Sequence, residues 1–73
     1  MRPKNGARIK VTKPLYNKSV PVGATGTVIA LLGDPLMSFT VEWDDTTLGK
    51  SAFDTVTASR KLKIETEEVK DNE

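Results

Sequence analysis

The chain has 73 residues, a net charge of +1, and neither cysteine nor histidine. That length holds one hydrophobic core and no second one, and the missing residue types exclude disulfides and the usual zinc ligand sets. They also remove the commonest general base and the commonest strong nucleophile, so the composition points away from an enzyme.

A domain near this size buries only about 60% of the surface its unfolded chain exposes. Without a covalent or metal staple, its stability rests on idealised packing or on self-association. The N-terminus carries no apolar run of signal-peptide type, and no stretch approaches the roughly 18 apolar residues of a membrane span. The expected location is cytoplasmic, with no membrane partner. Charge is unevenly placed. Arg2, Lys4, Arg8, Lys10, Lys13 and Lys18 precede the first acid, whereas the last nine residues hold five acids against Lys70. That end is net −4, which leaves +5 on the rest of a chain whose total is +1. The expected organisation is an N-terminal arm over residues 1–6, one β domain over 7–65, and an acidic tail over 66–73 with too little apolar surface to offset the entropy of ordering it.

From Ala7 to Thr12 the residues alternate, Ile9 and Val11 on one face and Arg8, Lys10 and Thr12 on the other, which predicts a half-buried strand. A loop from Lys13 to Gly23 follows, marked by Pro14, Asn17 and Pro21 and containing Tyr16. Thr25 to Leu32 reads as a second strand, rich in branched and apolar residues on both faces. Such a strand is either bent, packing one face inward along each half, or covered on its outer face. Gly33-Asp34-Pro35 predicts a hairpin turn. Met37 to Trp43 then alternates, with Met37, Phe39, Val41 and Trp43 on the core side. After a turn at Asp44-Asp45, residues Thr46 to Phe53 read as a fourth strand weakened by Gly49. One helical turn is expected over Asp54 to Ala58 with Asp54 as its N-cap, and Leu62 and Ile64 mark a closing strand. Five short strands, a long early loop and one helical turn before the last strand predict an all-β, small five-stranded SH3-like barrel, whose closure removes most exposed sheet edges.

Two segments carry a resemblance. Gly6-Ala7-Arg8-Ile9-Lys10-Val11 followed by Gly26-Thr27-Val28 resembles the opening of KOW-type SH3-like small barrels. The run Pro21-Val22-Gly23-Ala24-Thr25-Gly26-Thr27-Val28, followed by Val41-Glu42-Trp43-Asp44, is similar to small uncharacterised proteins of bacteria and their phages. The resemblance covers most of residues 6–64 and implies fold more strongly than function, because barrels of this kind include RNA-contacting and protein-contacting proteins and subunits that only support an enzyme partner. Its loop Leu31 to Met37 is apolar and acidic, unlike the basic loop of a nucleic-acid-binding relative.

Three groups of residues could carry a function. Arg8, Lys10, Lys13 and Lys18, with Arg2 and Lys4, could form a basic stripe for phosphates, or they could be solvated charges that protect a strand. Tyr16 could stack on an unpaired base beside them, or pin the long loop with its ring buried. Leu31, Leu32, Pro35, Leu36 and Met37 make an unusually apolar hairpin, which is either a protein interface or a plug for one end of the barrel. Asp44, Asp45 and Asp54 are better explained by turn and cap chemistry than by metal binding. The glycines at 23, 26 and 33 lack the spacing and the following lysine of a phosphate-cradling loop.

The sequence therefore predicts a protein-interaction or scaffolding module, a phage-encoded one being compatible with the resemblance. A protein partner or self-association would act through the hairpin. The alternative is a KOW-like nucleic-acid binder using the stripe. No cofactor, metal or small-molecule substrate is expected.

Overall fold

The computed structural model describes residues 2–66; the expected acidic tail, apart from Thr66, lies outside them. The strands are β1 (Arg8–Val11), β2 (Thr25–Leu32), β3 (Ser38–Trp43), β4 (Lys50–Asp54) and β5 (Leu62–Thr66), with a 3-10 helix at Thr46–Leu48 and an α-helix, α1 (Thr55–Lys61), before the last strand. All pairings are antiparallel and the sheet order is β4-β3-β2-β1-β5. This is the all-β architecture of five short strands with a helix before the last one that the sequence predicts, but the expected closure of the sheet is not seen among the described residues, where β4 and β5 are its two ends and do not pair. Thr66 belongs to β5, opposite Arg8, and not to the tail. The arm is tied down as well: Pro3 is buried and the Gly6 amide donates to the Val28 carbonyl at 2.8 Å.

One core sits inside the curled sheet. Ile9 and Val11 of β1, Val28 of β2, Phe39, Val41 and Trp43 of β3, Ala58 of α1 and Leu62 of β5 are all buried. Leu15 and Val20 join them from the long loop, so these two residues, and not Tyr16, anchor that loop. Phe53 packs between two aromatic neighbours, 6.1 Å from the Phe39 ring and 6.1 Å from the Trp43 ring, the latter edge-on at 87°. That is a favoured aromatic geometry. The Trp43 indole Nε1 donates to Ser51 Oγ at 2.9 Å, which satisfies the one polar atom this buried side chain carries.

The apolar character of β2 on both faces has a local cause. Its register against β3 runs Gly26↔Trp43 and Val28↔Val41, then shifts between Val28 and Ala30, so that Leu31 faces Phe39 and Leu32 faces Ser38. A bulge of this kind inserts one residue and bends the strand. Gly26 and Val28 are buried before it, and Ile29 to Leu32 are exposed after it.

Two sequence expectations are corrected. Thr46 to Phe53 is not one strand. The Asp45 side chain accepts from the Thr47 amide at 3.0 Å and starts a 3-10 turn, and Gly49 ends it at φ 71°, where a side chain would be strained. The strand begins only at Lys50. The helix is also longer than one turn: Asp54 caps it as expected, accepting from the Thr57 amide at 2.6 Å, but it continues to Lys61 because Ala58 is buried against the core.

Candidate functional site

The hairpin joining β2 and β3 divides the five residues that the sequence singles out. Leu31 is 43% exposed, Leu32 67% and Met37 68%, and Pro35 is exposed too. Leu36 is only partly exposed and packs against the core. Interface and plug therefore describe different residues of the same hairpin. Ile29, 39% exposed, extends the apolar strip along β2. The Thr55 amide donates to the Met37 carbonyl at 3.3 Å. That bond brings the first turn of α1, with Val56 63% exposed, beside the hairpin exit. Sequence reasoning missed Ile29 because it looks like an ordinary strand residue, and Val56 because only tertiary contact brings the helix there.

The basic stripe is rearranged. Arg8 donates through Nη1 to Asp44 Oδ1 at 2.8 Å and to Thr27 Oγ1 at 2.7 Å, and through Nη2 to Asp44 Oδ2 at 2.5 Å. Thr25 Oγ1 donates to the same carboxylate at 2.6 Å. The Arg8 guanidinium and the Thr25 hydroxyl hold the Asp44 carboxyl well below the usual carboxylate range, and the Arg8 guanidinium is pushed up by hydrogen bonding to Asp44. Arg8 thus belongs to an ion pair and leaves the free stripe.

Other cations replace it. Lys10 faces Lys63 across the β1–β5 pairing. The Thr12 and Lys13 amides donate to the Lys61 carbonyl at 2.8 and 3.3 Å, which brings Lys13 and Lys61 together. Lys10, Lys13 and Lys63 are exposed and Lys61 is partly so. Lys18 lies further out on the loop and is also exposed. Arg8–Asp44 is the one ion pair among the described residues, so these lysines meet no acid of that part of the chain. Lys61 and Lys63 come from the C-terminal half, and their approach to Lys13 and Lys10 has no signature in the sequence.

Tyr16 is fully exposed, its relative accessibility 100%. The ring does not pin the loop. It stands at the lip of a cavity of about 270 Å³ that is walled by Leu15, Ala52, Phe53, Asp54, Thr57 and Lys61. A second hollow of about 380 Å³ lies near Pro21, Thr25, Asp44 and Leu48.

The aspartates serve local structure. Thr47 holds the Asp45 carboxyl below its ordinary value, and the Thr57 backbone and side chain do the same for Asp54. Among the described residues, no helix is long and apolar enough to cross a membrane, and no group of three or more acidic side chains could hold a metal ion. Comparison of the chain with family models, curated proteins and solved structures returns no match.

Proposed function

We propose that this protein is a protein-interaction module, not an enzyme, and that it docks on another protein chain through the apolar strip of its β2–β3 hairpin. The observation that carries this reading is the joint exposure of Leu31, Leu32 and Met37 on one hairpin, with Ile29 and Val56 extending the strip. Turns are normally polar, and an apolar group of this kind on a small domain marks an interface more often than a chance exposure. A contact there also supplies stability that a domain of this size lacks.

The test is the molar mass by light scattering at low and high salt, for the native chain and for Leu32→Asp. Self-association that is indifferent to salt and lost in Leu32→Asp would make the partner a second copy. A monomer would then be screened against candidate partners, with Leu32→Asp as the control that must fail to bind. Leu36→Asp is not a suitable probe, because Leu36 packs against the core.

A second reading is favoured by the union of Lys10, Lys13, Lys61 and Lys63 beside an exposed aromatic ring. Clustered lysines release counterions from a phosphate backbone, and Tyr16 offers a stacking face. It predicts that a mixed-sequence single-stranded oligonucleotide binds at low salt only, and that Lys10→Glu with Lys63→Glu abolishes the binding.

A further inference from the structure

The strand β4 is one end of the sheet: it pairs with β3 on one side and, among the described residues, with no strand on the other. Its hydrogen-bonding phase is determined by its two ends. The Trp43 amide donates to the Gly49 carbonyl at 3.0 Å and the Thr55 amide to the Met37 carbonyl at 3.3 Å, and the register between them is continuous. In an antiparallel pair, hydrogen-bonded and non-hydrogen-bonded positions alternate. Phe53 and Ser51 therefore bond to β3, while the amide and carbonyl of Ala52 point away from it. Ala52 is exposed, and it lines the same cavity as Leu15 and Tyr16.

A strand edge running along a partly apolar groove is the arrangement into which an extended segment adds by backbone pairing. The groove has apolar walls in Leu15 and Phe53 and a charged rim in Lys61 and Asp54. The Asp54 carboxylate is turned to the helix start, where it accepts from the Thr57 amide at 2.6 Å, whereas Lys61 is in no ion pair among the described residues and sits next to Lys13. Asp54 keeps its negative charge, but Lys61 and Lys13 together outnumber it, which leaves this end of the groove net positive.

We propose that the β4 edge and the Tyr16 groove form a second binding site, which takes an extended acidic peptide segment of a partner protein as an additional β-strand. The Ala52 amide and carbonyl pair with its backbone, an apolar side chain enters between Leu15 and Phe53, and Lys61 meets an acidic one. This site is separate from the hairpin strip, so either reading can fail without the other.

The experiment is an amide-resolved NMR titration of the full chain with the synthetic peptide acetyl-(Glu-Val)3-amide. The expected result is saturable shifts at residues 51–54 and at Lys61, and none at the hairpin. The same peptide N-methylated at alternate residues keeps its charge and side chains but cannot pair, and it should not bind. Ala52→Pro removes only the outward donor, a position where an edge strand tolerates proline, and should weaken binding about fivefold or more, the loss expected for one backbone hydrogen bond. Lys61→Glu should weaken it as well, and Leu32→Asp should leave it unchanged. Equal binding of the N-methylated peptide, shifts centred on residues 29–37, or no saturable shift would overturn the proposal. Self-association of the chain that Ala52→Pro abolishes would overturn the acidic partner in favour of a second copy. If Ala52→Pro does not fold, the N-methylated peptide alone decides.

Discussion

Arg8 and Asp44, 36 residues apart in the chain, meet side by side, with Nη1 donating to Oδ1 and Nη2 to Oδ2. The pair joins the outer face of β1 to the turn after β3, and the Asp44 amide reinforces it by donating to the Thr25 carbonyl at 2.9 Å. Bidentate geometry gives such a pair more orientation than an ordinary surface contact, though its partial exposure, 40% and 47%, limits what it adds to stability.

The Asp44 carboxyl titrates below its ordinary value. A depressed carboxylate adds stability that is fully present above the unfolded pKa of about 4 and is lost as pH falls through the folded value. Thermal unfolding of the native chain and of Asp44→Asn should therefore differ at pH 7 and converge in strong acid. A difference independent of pH would show that the carboxylate charge contributes nothing.

Asp44→Asn also releases Arg8. If the lysine cluster binds single-stranded nucleic acid, the freed guanidinium adds a phosphate contact, and the slope of log affinity against log salt should steepen by about 0.7. An unchanged slope would place Arg8 outside the footprint.

Lys10 opposite Lys63 places like charges on directly paired positions, which is unfavourable for the sheet. Lys10→Glu should stabilise the fold by roughly 0.2–1 kcal/mol while it weakens any phosphate binding. Denaturant midpoints and oligonucleotide titration on the same variant separate the two effects. Tyr16→Ala should leave the midpoint unchanged, because its ring is wholly exposed.

Gly26 pairs with Trp43, and a Cβ at Gly26 would come within 2.7 Å of the Glu42 carbonyl oxygen and 3.0 Å of the Trp43 ring. The first of these is backbone and cannot turn aside. Gly26→Ala should cost about 1–3 kcal/mol by overpacking, read from chemical unfolding with Trp43 fluorescence. Gly23→Ala meets no atom within 4 Å and is strained only by its φ of 98°.

The two hairpin leucines should separate cleanly. Leu36→Ala removes a side chain that packs on the core and should destabilise by about 1–3 kcal/mol, below the range for full burial because Leu36 is only partly buried. Leu32→Ala, at 67% exposure, should fall within about 0.5 kcal/mol of the native chain, as exposed positions usually do. A large loss from Leu32→Ala in a monomer would mean that the strip is part of the core and not an interface.

Alternation of apolar and polar residues was enough to locate β1 and β3, because a strand with one buried face writes its period directly into the chain, and β2 was legible from its run of branched and apolar residues. The core partners Ile9, Val11, Phe39, Val41 and Trp43, the cap at Asp54 and the apolar hairpin could all be read the same way, each being a local property. What followed Asp45 could not. Whether Thr46 to Leu48 extends or turns depends on one side-chain bond to the Thr47 amide, and the length of α1 depends on Ala58 finding the core. Long-range pairing decided the candidate surfaces as well. It withdrew Arg8 into a bond with Asp44, set Lys63 beside Lys10, turned Tyr16 outward once Leu15 and Val20 had anchored the loop, and left the Ala52 edge open. Contacts between residues dozens of positions apart carry no periodic signal along the chain, and only the folded sheet brings them together.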